Sequence, residues 1–249
     1  MTGVQTCALP IYLQFVLALD AQAKIEDALG EALLAKHHRA TAEKLMQCLV
    51  RGFWNETRGL LADDLSHQHF SEHAQCLAVL SGRLDGAMQK RVGEQLLNDQ
   101  TLSRTTIYFS HYLFEALRVL DRADVLFEKL QMWFELKPRG FVTTFEAPEP
   151  SRSDCHAWGA HPLFHFFHTL LGARPTSPGF GTVEIAPQFA HLTQIGATLV
   201  HPNGEIIASL QRDGDRLTGN ITLPIGVNGT LRWNGEKTPL HEGAQAVNL

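Results

Sequence analysis

The residue types best suited to chemistry lie within positions 140–172, where a glutamate, a histidine and a tryptophan come close together. Glu146 follows an apolar, β-branched run and precedes two prolines, so we expect its carboxylate on an ordered loop and not in a helix. His156 and Trp158 come where a strongly apolar helix is expected to begin. A carboxylate for acid–base chemistry, an imidazole that bonds a hydroxyl and an indole that packs on an apolar sugar face together predict a carbohydrate site.

Residue types alone leave other interpretations of this stretch open. A glutamate near prolines is commonly an exposed residue without a function, and a His-Ala-Trp turn commonly serves packing. Glu149 also competes with Glu146 as the carboxylate that points into the site. We favour Glu146 because it directly follows the aromatic Phe145, whereas Glu149 lies between two prolines, where the loop is expected to turn outward.

Helical periodicity covers the region from Leu13 to Gly172. Apolar residues recur there at spacings near three and four, with short links and no strand alternation. This pattern is typical of an (α/α) toroid and also of other helical bundles. The predicted helices span 13–33, 39–53, 71–82, 86–98, 105–120, 123–136 and 154–171, the last with Ser153 or Asp154 as its N-cap.

The sequence pattern changes after residue 172, where a Pro/Gly/Ser-rich linker leads into short runs of period two. Asn-Gly and Asp-Gly pairs between these runs are typical of β-hairpin turns. We therefore expect a small antiparallel β-sandwich packed on the helical domain. Its predicted strands span 183–185, 195–200, 205–211, 216–223, 227–233 and 238–240.

Motifs in a fixed order resemble glycoside hydrolase family 78, the bacterial α-L-rhamnosidases. The family pattern has a Thr-Thr-aromatic-Glu run, a Ser-x-x-His followed by an aromatic, and a closing Leu-Gly-(Ile/Ala)-Arg-Pro segment. Here these are residues 143–146, 153–158 and 171–175, and the segments 178–180 and 185–187 also match. The aromatic before the glutamate is often tryptophan in the family, whereas here it is phenylalanine. The resemblance covers nearly the whole chain after residue 11.

The resemblance implies an inverting glycosidase that releases terminal α-L-rhamnose. In such enzymes one carboxylic acid protonates the leaving oxygen, and a carboxylate roughly 6.5–9.5 Å away activates water. It implies that Glu146 is the general base and that His156 binds rhamnose. The general acid belongs to an earlier family motif that this sequence lacks, and we interpret its nearest acidic pair, Asp63-Asp64, as a turn. The further expected substrate contacts are Phe145, Trp158, Tyr108 and His111.

The resemblance also predicts a multi-domain chain that is first helical and then β. Residues 12–173 are expected to form the C-terminal half of an (α/α)6 toroid, because about seven helices are present where such a toroid needs about twelve. Residues 174–249 are the expected β-sandwich accessory domain. Residues 1–11 resemble a translated sequencing adapter, so we interpret the chain as a fragment that lacks the general acid. Such a fragment is expected to be almost inactive and to self-associate through exposed apolar helix faces.

Composition restricts the classes of function. The 249 residues are 44% hydrophobic and 19% charged, and the net charge of −5 without a basic cluster argues against nucleic acid. No apolar run is long enough to span a membrane. The widely spaced cysteines fit reduced thiols and slightly favour a cytoplasmic compartment, although any leader would lie upstream. We expect no cofactor, and we expect no metal at either histidine group, namely His67, His69 and His73 or His161, His165 and His168.

Two other functions compete with this interpretation. A chain that is complete as it stands would be a non-catalytic carbohydrate-binding or interaction protein, in which Glu146, His156 and Trp158 hold a sugar without cleaving it. Alternatively, the chain comes from another (α/α) toroid glycosidase, such as a fucosidase or a debranching-type enzyme. Residue chemistry does not select rhamnose, so a rhamnosyl glycoside as the partner is expected from the resemblance alone. The oligomeric state is left open.

Overall fold

A computed structural model describes residues 8–147 and 151–249, and the chain divides into two compact units, Met1–Leu120 and Asp121–Leu249. The first unit is helical, and the second begins with helices and continues as two β-sheets. The predicted order, helical and then β, is therefore confirmed. The units divide after Leu120, whereas the sequence places its domain boundary at residues 173–174.

The first unit contains five helices and a two-stranded hairpin in its described residues. Ser71 accepts a hydrogen bond from the Ala74 N–H (3.3 Å) at the start of the third helix, and Gly82 ends that helix at a positive φ of 61°. The helix predicted over 71–82 is therefore confirmed. The elements are α1 (Ala8–Ala28), α2 (Ala32–Phe53), β1 (Trp54–Asn55), β2 (Leu60–Leu61), α3 (Glu72–Ser81), α4 (Gly86–Asn98) and α5 (Ser110–Val119).

Two helix boundaries in this unit differ from the prediction. The first predicted helix, 13–33, is too long, because Gly30 adopts a positive φ of 82° and α2 begins directly afterwards at Ala32. The helix predicted from residue 105 begins only at Ser110. Thr105 is held outside it because the buried Glu72 carboxylate accepts bonds from its backbone N–H (2.7 Å) and its hydroxyl (3.0 Å).

The second unit begins with α6 (Ala123–Phe134) and then carries a helical segment of three kinds. A 3-10 turn (Ala157–Ala160), a short helix α7 (Pro162–His165) and a π-helix (Phe166–Leu171) follow one another. The strands are β3 (Ala173–Pro175), β4 (Thr182–Ile185), β5 (Gln194–His201), β6 (Gly204–Asp213), β7 (Arg216–Leu223), β8 (Asn228–Trp233), β9 (Glu236–Leu240) and β10 (Gly243–Asn248), with a 3-10 turn at Pro178–Phe180.

The strands form two four-stranded sheets, in the orders β10-β7-β6-β5 and β3-β4-β8-β9. All pairs are antiparallel except β4 with β8, which is parallel and departs from the all-antiparallel prediction. The strands β3 and β10 were not predicted. Both become strands through pairing with β4 and β7, which the local sequence does not encode. Apolar side chains from both sheets and from the π-helix share one core, among them Ile206, Leu210, Ile221, Val183, Leu231 and Leu171.

Within the described residues, no helix is both long enough and apolar enough to cross a membrane. The thiols of Cys48 and Cys155 are free.

Candidate functional site

Glu146 lies on a loop that is tied to the segment just before the 3-10 turn. The Glu146 N–H donates to the Ser153 carbonyl (2.9 Å), and the His156 N–H donates to the Thr144 carbonyl (2.8 Å). The Thr144 hydroxyl donates to the His156 carbonyl (2.8 Å), and the Thr143 hydroxyl reaches Asp154 in the same way. These bonds explain why the Thr-Thr-Phe-Glu run places its carboxylate on an ordered loop, as predicted. The competing Glu149 lies outside the described residues.

The Glu146 carboxylate is bound by an arginine that the sequence did not single out. Arg152 contacts both carboxylate oxygens, with Nε 3.3 Å from Oε2 and Nη2 in closer contact with Oε1. The Glu146 side chain is only 10% exposed, whereas that of Arg152 is 84% exposed. The bond from Arg152 holds the pKa of the Glu146 carboxyl below its ordinary value, with smaller help from the charges of Arg152 and His156. Glu146 is therefore a carboxylate at neutral pH.

His156 and Trp158 complete a cluster with Glu146. The His156 Nδ1 lies 4.0 Å from Glu146 Oε2, and its ring lies against the indole of Trp158, with 4.1 Å between ring centroids. The indole is 41% exposed. A carboxylate, an imidazole and an exposed aromatic face thus meet as the sequence predicted, and this set can bond a sugar hydroxyl and pack against a sugar ring.

Two further residues position this cluster. A Cβ at Gly159 would lie 2.8 Å from the Phe145 carbonyl oxygen, so only glycine lets the 3-10 turn approach the loop this closely. The Trp133 indole donates to the Gly159 carbonyl (2.6 Å) and is only half-buried. The glycine between Trp158 and the following helix was the only sequence signal for this contact.

Phe145 does not offer a sugar-binding surface. Its side chain is almost completely buried and packs on Phe141, with 5.5 Å between ring centroids. The prediction of a direct substrate contact at Phe145 is therefore corrected: the ring anchors the loop whose next residue is Glu146.

The continuous helix predicted over 154–171 is wrong. Ser153 and Asp154 lie in the irregular segment before the 3-10 turn and do not cap a helix. His156 occupies the position directly before the turn, without a side-chain cap bond. Pro162 lacks the N–H that a continuous helix needs, so the turn ends and α7 starts with this proline. The remaining six residues form a π-helix. This kind of helix is rare in proteins, and where it occurs it often lies near a functional site.

The three histidines of this segment do not share a solvated face. His165 is fully buried, and its Nδ1 lies 3.1 Å from the Thr169 hydroxyl. His161 meets the His165 ring edge-on, and His168 stacks on Phe164 with 4.5 Å between ring centroids. All three imidazoles therefore contact other side chains of their own segment.

Tyr108 and His111, the remaining predicted contacts, belong to the first unit. Tyr108 lies in the turn before α5 and is 46% exposed, and His111 lies in the first turn of α5. Both rings approach Tyr112, at 6.3 Å and 5.3 Å between ring centroids. Their roles as substrate contacts stay predictions.

The acidic pair of the first unit is unequal. Asp64 accepts bonds from the Ser66 hydroxyl, from His69 and from the Ser66 N–H (2.8 Å). These bonds hold the pKa of Asp64 well below its ordinary value and fit the predicted turn. Asp63 is buried, and burial raises the pKa of its carboxyl although the Ser71 hydroxyl donates to it (2.8 Å). A carboxyl buried in this way offers no surface to a substrate.

The other histidine group is dispersed. His67 contacts the Gly52 carbonyl (2.9 Å), His69 bonds Asp64, and the ring of His73 packs on Phe109 at 4.3 Å between centroids. In the part of the chain that the structure describes, these three imidazoles form no group with metal-ligand spacing.

Comparison with known proteins shows which solved structures share this fold. Three solved structures share its fold over nine-tenths of its length or more. The first is a GH78 family rhamnosidase of Bacillus sp. GL1, with 23% identity and a TM-score of 0.76, and the match covers 90% of this chain and 26% of that one. The second is an α-L-rhamnosidase from Dictyoglumus thermophilum, with 16% identity, a TM-score of 0.78, and coverage of 94% of this chain and 31% of that one. The third is a Streptomyces avermitilis α-L-rhamnosidase complexed with L-rhamnose, with 16% identity, a TM-score of 0.75, and coverage of 94% of this chain and 26% of that one. The fold is thus that of a C-terminal region of glycoside hydrolase family 78 rhamnosidases.

The family match is more specific. Residues 172–247 match the bacterial alpha-L-rhamnosidase C-terminal domain. The resemblance to bacterial α-L-rhamnosidases of glycoside hydrolase family 78, predicted from the motifs, is therefore confirmed, and that family is one of glycosidases. No curated protein sequence matches the chain. The chain spans between about a quarter and a third of the length of the three solved structures.

Proposed function

We propose that this chain is the C-terminal part of an inverting α-L-rhamnosidase, that Glu146 is its general base, and that His156 and Trp158 bind the rhamnosyl group. The observation that carries the proposal is the cluster of a carboxylate, an imidazole and an exposed indole on a loop whose motif matches the family. The L-rhamnose bound in the Streptomyces avermitilis relative supports the sugar assignment.

The protonation state of Glu146 fits a base and not an acid. A general base must be ionised before it takes a proton from water, and the lowered pKa keeps Glu146 ionised at neutral pH. Its partner, the general acid, needs the opposite environment, one that raises a carboxyl pKa. We assign that role to the part of the longer relatives that this chain does not span. The helices up to residue 173 are then half of an (α/α)6 toroid.

The contact of Arg152 with both carboxylate oxygens favours a second function. A carboxylate whose oxygens are both engaged is not free to activate water, so the cluster would bind a sugar without cleaving it. Arg152 is largely exposed and borders the site, so substrate entry is expected to displace it in an active enzyme.

Binding and hydrolysis are tested separately on the 249-residue chain. We expect L-rhamnose to perturb the backbone amide signals of the segment around His156 in ¹H–¹⁵N NMR spectra, which can also be followed in a Trp158 variant. We expect an aryl α-L-rhamnoside to show no turnover because the general acid is missing. The Trp158→Ala variant is expected to lose at least about 10-fold in affinity, the scale of one lost aromatic–sugar contact. Trp54→Ala in the first unit is the matched control and is expected to leave binding unchanged.

The outcomes separate the proposals. Hydrolysis at enzymatic rates would overturn the proposal that this chain lacks the general acid. If Trp158→Ala left binding unchanged, the proposed sugar site would be wrong. If the chain preferred a different sugar, the assignment of rhamnose would be wrong. If an extended chain carrying the upstream region hydrolyses rhamnosides and its Glu146→Gln variant keeps full turnover, then Glu146 is not the base.

A further inference from the structure

The sheet β10-β7-β6-β5 has one face in the core and one face in solvent. Alternate residues of its strands are buried, and Leu210 and Ile221 are among those that belong to the core. The residues between them point away from the core. On this outward face of the four described strands, charged side chains lie only near the strand ends, at Glu205, Asp213 and Arg216. The middle of the face is uncharged, although lysine and glutamate are common on exposed protein surfaces.

Four uncharged polar residues of this face lie in direct register, one on each strand. Gln194 is paired with Gln211, Gln211 with Thr218, and Thr218 in turn with Asn248. We call these four residues the polar row. Since neighbouring strands lie about 4.8 Å apart, the polar row runs about 14 Å across the sheet. Side chains in register point to the same side, so a ligand laid across the strands can contact all four.

The polar row has the hydrogen-bonding chemistry that matches hydroxyl groups. Gln194 and Gln211 are exposed, and Thr218 is half-buried. Each amide offers both donors and acceptors, and the threonine hydroxyl does the same. Arg216 Nη2 donates to Asn248 Oδ1 (2.9 Å), which fixes the end of the row on β10 and leaves the Asn248 amide nitrogen as a donor.

A cavity of about 430 Å³ lies along the polar row. Three of the four row residues line it, and Asp213 and Arg216 line it at the hairpin between β6 and β7. Its volume is in the range of small-molecule sites, which join a concave surface to a few convergent polar groups. On the other side of the row the next positions along the strands include small residues, namely Gly196, Ser209 and Ala246. The row therefore stands above its surroundings on both sides.

We infer that the polar row binds a neutral, linear oligosaccharide that lies across the four strands. A sugar chain presents hydroxyl groups at regular intervals, and a line of amides and hydroxyls can donate to them and accept from them. The uncharged middle of the face and the net charge of −5 disfavour an anionic ligand. This site is separate from the cluster around Glu146, and the inference does not rest on the function proposed for that cluster.

The binding is expected to be weak. The outward face of the four described strands carries no aromatic ring on which a sugar could pack, so the affinity comes from hydrogen bonds that compete with water. We expect a Kd on the order of 1 mM.

Titration of the 249-residue chain, followed by ¹H–¹⁵N NMR, tests the site. The probes are cellotetraose, xylotetraose and mannotetraose, each up to about 20 mM. We expect at least one of them to shift the backbone amide signals of β5, β6 and β7 around the polar row, while the signals around His156 stay unchanged. If no probe shifts the signals around the row, or if shifts occur only around His156, the inference is wrong. Either result is independent of whether L-rhamnose binds at the Glu146 cluster.

A pair of double variants locates the contact. Gln194→Ala/Gln211→Ala removes two amides of the row and is expected to weaken binding at least about 10-fold. The matched control, Thr198→Ala/Thr222→Ala, changes two polar residues of the same face about 13 Å along the strands and is expected to leave binding unchanged. Far-UV circular dichroism establishes that each variant is folded. If the first is not, Gln194→Thr/Gln211→Thr replaces it, because threonine favours strands and lacks the amide.

Three outcomes of these experiments would overturn the inference. Binding that the glutamine variant leaves unchanged would show that the row makes no contact with the sugar. An equal loss in both double variants would show that the whole face, and not the row, attracts sugars. Tighter binding of tetragalacturonate than of all three neutral probes would show that the ligand is an anion held by Arg216.

Discussion

Gly172 closes the segment that carries Trp158, and its substitution is expected to destabilise the second unit strongly. The residue adopts a positive φ of 73° at the end of the π-helix, and its carbonyl accepts the Ala186 N–H (3.1 Å). A Cβ built at this position lies 2.0 Å from the Ala186 carbonyl oxygen and 2.2 Å from its carbon. Alanine therefore meets two separate penalties, one conformational and one steric.

The conformational penalty of a left-handed residue is about 1 kcal/mol. The steric penalty is larger, because backbone atoms cannot rotate away as a flexible side chain could. If the Ala186 backbone moved away, it would lose its hydrogen bond to Gly172 and the neighbouring bond from the Gln188 N–H to the Leu170 carbonyl (3.0 Å). Each bond contributes about 1 kcal/mol to stability. Overpacking adds a further cost of about 1–3 kcal/mol. We expect Gly172→Ala to lower the free energy of unfolding by about 4–6 kcal/mol.

Gly243→Ala is the matched control. Gly243 has a similar positive φ of 85°, but a Cβ there meets no atom within 4 Å, so only the conformational penalty of about 1 kcal/mol applies. Urea unfolding of the full chain, followed by its tryptophan fluorescence, measures both variants. If the two variants differ by less than about 1 kcal/mol, the steric part of the reasoning is refuted.

Two further predictions concern carboxyl groups with shifted pKa values. Asp63→Asn is expected to raise the melting temperature at pH 7, because burial raises the pKa of Asp63 and the ionised carboxylate therefore destabilises the fold. The gain should shrink as the pH falls through the raised pKa, since the wild-type carboxyl then takes up a proton. A variant that is less stable than the wild type at every pH would contradict this. Arg152→Gln is expected to raise the pKa of Glu146 towards its ordinary value. In the wild type, the ion pair stabilises the fold above about pH 4.3, and this stability is lost as the pH falls through the lowered pKa of Glu146. The variant is expected to lack this contribution. Carboxyl ¹³C NMR titration measures the shift, with Arg122→Gln, which breaks another two-bond arginine pair of the same unit, as the control.

Local signals in the sequence were sufficient wherever one residue decides a boundary. Ser71 as an N-cap and Gly82 at a positive φ fixed α3, since capping needs only neighbouring backbone groups. The alternation in β6 placed Ile206 and Leu210 in the core because side chains of a strand point to opposite faces in turn. The loop position of Glu146 followed in the same way from the prolines behind it.

Contacts between residues distant in sequence decided the rest of the site. The motif order predicted which residues cluster. That Arg152 binds the Glu146 carboxylate and that Phe145 is buried follow from the way segment 151–156 folds back beside Glu146. A run of apolar residues likewise says only that a helix has apolar sides. Which side of α1 is buried depends on where α2 and α3 pack, and that is a property of the tertiary structure alone.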